Sequence, residues 1–249
     1  MVSRAHPSEP RTVLITGATD GVGLLLARSY AARGHRVIAT GRRAIADEAA
    51  HFGSGRIRYI RADQQGPARA ARRIDETLAT LGIEALDLVI VNAGTGWAGP
   101  AEEETARSLV QQIDINLTAS IHIVQAMAAR LFAAQGARLV LIGSKASVKG
   151  AARFAVYAAT KGALDGFGRS LREEWRGRAS VSVVHLGPVR TAMHEKAGLK
   201  LGASRAFFMS AKAAARAVER AARERRKRLI PGRFYARPRL FGRPGENEL

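Results

Sequence analysis

The sequence predicts an α/β fold: one parallel sheet, doubly wound, with helices on both faces in three layers. Three observations carry this. Short β-rich apolar runs alternate with helical segments along the chain, without a shift in composition. Two of the runs, LDLVIVNAG (residues 86–94) and RLVLIGS (138–144), are continuously apolar, as strands covered on both faces are. Glycines follow the first run at once and open a helical pattern, the form of a tight βα turn. Parallel neighbours need right-handed crossovers, and the helices supply them.

In chain order, residues 1–11 read as a flexible lead. TVLIT (12–16) is the first strand, and GVGLLLARSYAARG the helix after it. RVIAT (36–40) is the second strand, followed by a polar loop and an Ala-rich segment after Arg43. RIRYIRAD (56–63) is the third, with ARAARRIDETLATLG as its helix. LDLVIVNAG is the fourth, and a long helical region with a break follows, from about Ala101 to Gln135. RLVLIGS is the fifth, and the next helix runs to about Arg178. SVSVVHLG (180–187) is the sixth, with a helix near Ser210–Arg226 and a last short strand in LIPG (229–232). Residues 12–232 therefore read as one domain, and 233–249 as a basic tail.

A chain of 249 residues with 47% hydrophobic and 24% charged residues has an ordinary globular composition and can bury a sizeable core. It has no cysteine, which excludes disulfides, thiolate metal sites and a cysteine nucleophile. No metal site is expected. The N-terminus lacks the apolar stretch of a signal peptide, and no run of about 18 apolar residues occurs, so the expected location is cytoplasmic. The net charge is +19, and residues 216–243 are dense in arginine against only Glu219 and Glu224. A solvated basic helix and tail is the favoured reading. Contact with nucleic acid or an anionic membrane is the lesser one, because no nucleic-acid module accompanies the charge.

The turn after the first strand is TGATDGVG: Thr16, Gly17, Thr19, Asp20, Gly21, Val22 and Gly23 among its residues. Its spacing differs from G-x-G-x-x-G, but its physics is the same. Glycines permit a tight turn and close backbone approach to a pyrophosphate, whose charge suits a helix N-terminus. Further features follow in order. Asn92, Ala93 and Gly94 close the fourth strand, Asn116 lies in DINLTAS, and Ser144 ends the fifth strand. Thirteen residues on comes Tyr157, with Lys161 one helical turn later in FAVYAATKGALDG, and LGPVRT (186–191) follows the sixth strand. Taken together, TGxxxGxG, NAG, the serine, YxxxK and the last loop resemble the short-chain dehydrogenase/reductase family, in its single-domain branch, from Thr12 to Thr191.

The resemblance implies a Rossmann-type sheet of about seven strands, ordered 3-2-1-4-5-6-7, with a nicotinamide cofactor across the carboxyl ends of the strands at the switch point. The glycine turn would hold the pyrophosphate, and Asp63 the adenine. Asn92, Ala93 and Gly94 would line the cofactor, and Gly187, Val189 and Thr191 would meet its nicotinamide half. The end of the second strand reads Gly41-Arg42-Arg43, with no carboxylate until Asp47. Arginines there can fork onto a 2′-phosphate, which favours NADP(H) over NAD(H). Asp20 is the opposing sign, since relatives that use NADP often carry a basic residue in that turn.

Carbonyl reduction needs a hydride, which such a cofactor supplies, and a proton donor. A free tyrosine, with a pKa of about 10, is a poor donor near neutral pH. Lys161, with the charge of the oxidised nicotinamide, is expected to lower that of Tyr157. By the resemblance, Tyr157 and Lys161 also contact the cofactor, Ser144 bonds the substrate oxygen, and Asn116 supports a proton path to Lys161. Ser147 competes with Ser144 but stands ten residues before Tyr157 rather than thirteen. The chain departs from the family in having Gly143 where a second serine is common, Leu186 before Gly187 where proline is common, and Lys145 after Ser144. Lys145 either points away or attracts an acidic substrate.

The family's substrate lies under the segment after the sixth strand, here about 191–209. Trp97, Phe154, Met193, Phe207, Phe208 and Met209 are its candidate apolar walls, with lid packing an equal reading of the same residues. The expected function is NADP(H)-dependent interconversion of a small-molecule ketone and a secondary alcohol, in a homodimer or homotetramer. The alternative is a non-catalytic nucleotide-binding scaffold on the same fold.

Overall fold

The structure is a computed structural model that describes residues 11–193, 197–198, 208–225 and 228–229. Its strands are β1 (Thr12–Ile15), β2 (Arg36–Gly41), β3 (Ile57–Arg61), β4 (Leu88–Val91), β5 (Arg138–Ser144), β6 (Ser180–Leu186), β7 (Val189–Arg190), β8 (Met209–Ser210) and β9 (Arg228–Leu229). Its α-helices, in chain order, are α1 (Gly21–Ala32), α2 (Glu48–Phe52), α3 (Pro67–Thr80), α4 (Ala106–Ile113), α5 (Ala119–Ala133), α6 (Ala146–Lys149), α7 (Ala155–Glu174) and α8 (Ala211–Glu224).

Seven strands form one sheet in the order β3-β2-β1-β4-β5-β6-β9, with every pairing parallel. The order matches the expectation. Its last strand, Arg228–Leu229, begins one residue before the LIPG run and shares Leu229 with it. A second, two-stranded sheet, β7 with β8, was not foreseen from the sequence.

Strand period explains the three layers. In β1, Val13 and Ile15 join one buried cluster with Leu26 and Ala27 of α1 and Val218 of α8. Leu14 between them points to the opposite cluster, with Ile74 of α3, Ile123 and Met127 of α5 and Leu164 of α7. The same split occurs in β5, where Val140 and Ile142 face one side and Leu139 and Leu141 the other. A strand buried on both faces has no polar side to alternate, which is why these runs read as continuously apolar.

The long helical region is divided. A 3₁₀ turn (Ala101–Glu103) precedes α4, and a π-helical turn (Asp114–Thr118) separates α4 from α5. The break expected from sequence thus carries Asn116 itself. The chain runs β1-β2-β3 toward one edge and returns to β4 on the other side of β1. The loops after β1 and β4 therefore diverge at the carboxyl ends and leave a crevice there. None of the described helices is long and apolar enough to cross a membrane. The expected lead (1–11) apart from Arg11, most of the lid (194–196 and 199–207, with Phe207) and the basic tail lie outside the described residues.

Candidate functional site

A cleft of about 720 Å³ opens along the carboxyl ends of the strands, from Arg42 and Asp63 at one end to Ser144 and Tyr157 at the other. Its floor is the glycine turn. Gly17 has φ +62°, and a Cβ there would lie 2.7 Å from Ala93 Cα. A Cβ on Gly23 would lie 2.2 Å from Gly17 O. Only glycine fits either place. Gly23 does not line the cleft: it lets α1 pack against the turn, while Gly17, Thr19, Asp20, Gly21 and Val22 line it. Asn92 ties the turn to β4. Its Nδ2 donates to Thr16 O (3.0 Å) and Gly17 O (3.1 Å), and Thr16 Oγ1 accepts from the backbone N–H groups of Asn92 and Ala93 (3.0 and 3.1 Å). Thr16 is buried beneath these contacts and supports the turn from behind.

At the second strand's end, Gly41, Arg42 and Arg43 all line the cleft. The loop is held by its backbone: Tyr59 Oη donates to Arg43 O (2.8 Å), and Arg61 Nε donates to Arg42 O (3.2 Å). Asp20, the opposing sign, has defined partners. Its Oδ1 accepts from Gly21 N (2.7 Å) and caps α1, and its Oδ2 meets Arg43 Nη2 at 3.2 Å. That ion pair is about half exposed at both ends, so it is worth at most about 1 kcal/mol and exchanges easily for a stronger anion. Asp63 lines the cleft as expected and accepts from Gln65 N (3.1 Å).

At the other end, Ser144 terminates β5 and Tyr157 and Lys161 face the cleft from α7. Ser144 Oγ accepts from Ala146 N (3.2 Å) and shares the cleft wall with Tyr157. Ser147 instead donates its Oγ to Ser144 O (2.7 Å) and does not line the cleft. Lys161 is buried, with Nζ donating to Ile142 O (2.9 Å). Burial lowers its pKa from 10.5 to about 8. Tyr157 departs from expectation: burial raises its pKa above 10, and the opposing influence is the Ser144 side chain, not Lys161. The ammonium lies 6.0 Å from the phenol ring centre and is itself weakened by burial.

Asn116 acts as a clamp. Its Oδ1 accepts from Thr95 N (2.8 Å), and its Nδ2 donates to Thr95 O (2.9 Å) and Thr160 Oγ1 (3.1 Å). Gly94 lies against it, since a Cβ there would sit 3.3 Å from Asn116 Oδ1 and 3.4 Å from Lys161 Nζ. The sequence reading missed Thr160. It joins Asn116 to Tyr157, whose carbonyl accepts its Oγ1 at 2.8 Å, and its place directly before Lys161 was the available signal.

Among the candidate walls, Phe154, Met193 and Phe208 line the cleft, and the Phe154 and Tyr157 rings meet edge to face at 6.1 Å. Gly187, Val189 and Thr191 line it too. Trp97 does not: its indole packs on Gly99, where a Cβ would lie 2.3 Å from Cη2. Met209 pairs with Val189 in the small sheet and is not in the cleft wall. Lys145 does face the cleft, together with Lys149, which the sequence reading overlooked. Burial, then the Lys149 charge, lowers the pKa of Lys145.

The residues present fit a nicotinamide dinucleotide. The bare glycine backbone at the α1 N-terminus suits a pyrophosphate, arginines stand where a second-strand end meets a ribose, and one continuous cleft joins them to the serine and tyrosine. Comparison with known proteins agrees. Residues 11–202 match the short chain dehydrogenase family. An uncharacterized oxidoreductase of Myxococcus xanthus is 33% identical over 189 residues, 74% of each chain. A short-chain dehydrogenase of Sphingobium yanoikuyae, solved in complex with NADPH, superposes with a TM-score of 0.79 at 25% identity, covering 92% of this chain and 90% of its own. A Burkholderia phymatum member solved with NAD shares the fold at TM-score 0.77 and 21% identity, covering 89% of each chain. The chain belongs to the short-chain dehydrogenase family and is an oxidoreductase of it.

Proposed function

We propose that the protein interconverts a ketone and a secondary alcohol with NADP(H), working as a reductase. The observation that carries this is the single cleft that brings Ser144, Tyr157 and Lys161 together at one end and the glycine turn with Arg42 and Arg43 at the other. A phenol is present in its acid form at neutral pH; burial makes it a weaker donor, which the positive charge of Lys161 and of a bound oxidised nicotinamide would offset. NADPH supplies the hydride. Tyr157 Oη gives its proton to the substrate oxygen, and Ser144 Oγ bonds that oxygen as its charge develops. Lys161 Nζ stands behind Tyr157 to return a proton, and Asn116 holds the Thr95 backbone and Thr160 that frame the path.

NADP(H) is favoured because Arg42 and Arg43 directly follow β2 and line the cleft, and the Asp20 pair is weak enough for a 2′-phosphate to displace it. The Sphingobium relative was solved with NADPH. Phe154, Met193 and Phe208 favour a largely apolar substrate body. Leu109, Val110 and Ile113 stay exposed on α4, and such a face suits pairing of subunits.

The test is a screen of ketones and alcohols with NADPH, NADP⁺ and their NAD counterparts, followed at the nicotinamide absorbance. Tyr157→Phe is expected to lose about 10²-fold or more of kcat while binding NADPH as before. Full turnover by that variant would remove Tyr157 as the acid. Tight NADPH binding without turnover of any carbonyl would instead support the scaffold reading.

A further inference from the structure

Behind the reacting face stand two side chains to which the proposed chemistry gives no role. His185 of β6 is fully buried. Its Nε2 lies 3.0 Å from Asp165 Oδ1 on α7, and its Nδ1 lies 3.3 Å from the backbone carbonyl of Ser144. Both partners are acceptors, so each contact is a hydrogen bond only while the nitrogen facing it carries its proton. Arg169 also approaches the Asp165 carboxylate, Nε to Oδ2 at 3.6 Å.

Gly143 makes a second observation. A Cβ there would fall 3.1 Å from His185 Nδ1 and 3.2 Å from Val183 Cγ1. β5 and β6 pair Gly143 directly with His185. The room a side chain at 143 would need is the room the imidazole uses to reach the Ser144 carbonyl. That carbonyl also accepts Ser147 Oγ at 2.7 Å, so both of its lone pairs can be engaged, one by the helix side and one by His185. The glycine in place of a second serine and the buried histidine are thus one arrangement.

We infer that Asp165 and His185 form a positioning pair for Ser144. Asp165 orients the imidazole, and the imidazole holds the Ser144 peptide so that Oγ faces the Tyr157 phenol. Its kinetic consequence rests on the carbonyl-reduction reading above; its geometry does not. A group that must meet a developing charge tolerates little displacement, and a shift of about 1 Å can cost about 10²-fold.

Two substitutions separate the two bonds. An asparagine amide reaches to where Nδ1 stands and can donate to Ser144 O. A glutamine amide reaches to where Nε2 stands and retains a partner for Asp165. His185→Asn is expected to remain within about threefold of wild-type kcat, and His185→Gln to lose about tenfold or more, with the NADPH dissociation constant of both close to wild type. A merely structural role predicts the reverse order, or a kcat that follows the melting temperature, and either result overturns the inference. Crystal structures of both variants read the same point without turnover: Ser144 Oγ stays beside Tyr157 Oη in the asparagine variant and turns away in the glutamine variant. An unmoved Ser144 in the glutamine variant overturns the inference even if a ketone is reduced. A displaced Ser144 in a protein inert toward every carbonyl supports it and counts against the functional reading alone. Should neither variant fold, the near-isosteric Asp165→Asn takes their place: a kcat lowered about fivefold or more at unchanged NADPH affinity supports the pair, and an unchanged kcat overturns it.

Discussion

Lys161 shows how the site's chemistry and the fold's stability oppose each other at one residue. Its pKa falls from 10.5 to about 8 because a buried ammonium loses its hydration. Below about pH 8 the lysine is charged in both folded and unfolded chains, and burial of that charge costs stability in full. Between about 8 and 10.5 the folded chain has released the proton that the unfolded chain still holds, so this group's penalty shrinks as pH rises. Lys161→Met is therefore expected to raise the melting temperature at pH 7, by an amount that fades toward pH 10.5. The shift corresponds to about 3 kcal/mol as an upper bound, less the bond to Ile142 O. The same variant should lose about 10²-fold of kcat, and an unchanged or lowered melting temperature at pH 7 would contradict the buried-charge account. Reduction by the wild type should weaken above about pH 8 as Lys161 loses its proton. At the other end of the cleft, Arg42→Ala is expected to weaken NADPH binding about tenfold or more with little change for NADH. Asp20→Asn, which releases Arg43, should strengthen NADPH binding modestly. Equal losses for both cofactors on Arg42→Ala would remove the 2′-phosphate assignment.

At the scale of elements, glycines mark where a helix backbone is approached closely or takes a left-handed turn. Gly168 of α7 would place a Cβ 2.6 Å from Val183 Cγ2 and 3.1 Å from Leu141 Cδ1, so the helix that carries Tyr157 lies directly on β5 and β6. Gly168→Ala should cost about 1–3 kcal/mol in denaturant unfolding and reduce kcat with it, because Tyr157 and Ser144 sit on the elements forced apart. Gly53, with φ +69° and open space around it, ends α2 in the left-handed region; alanine there meets strain but no clash, and should cost less. The π-helical turn at Asn116 follows the same logic. It departs from regular helix where the side chain turns inward to Thr95 and Thr160. The sequence reading anticipated a break in this region but not its form, because the partners that stabilise it come from other elements.

Across the whole molecule, the seven-stranded order brings residues from 17 to 208 into one cleft. It also leaves Leu109, Val110 and Ile113 together on the outer side of α4. Light scattering is expected to find a dimer or tetramer, and Val110→Glu to shift it toward monomer without unfolding it. A monomeric wild type would remove the proposed pairing. The strand runs, the glycine turn and the one-turn spacing of Tyr157 and Lys161 were legible in the sequence itself, while the strand order and the places of Asn116 and Ser144 followed from the family resemblance. Strand runs have a period of their own, glycine is the residue such turns require, and YxxxK spacing is one helical turn. Those are local rules, written in neighbouring residues. The tertiary structure decided what depends on surroundings. It set the direction in which Tyr157 titrates, because burial outweighs the opposing influence of Ser144. It paired Asp20 with Arg43, stacked Trp97 on Gly99 outside the cleft, and brought His185 to Ser144 through the space that Gly143 leaves open. Dielectric surroundings and contacts between distant segments exist only once the chain has folded, and no spacing along the sequence encodes them.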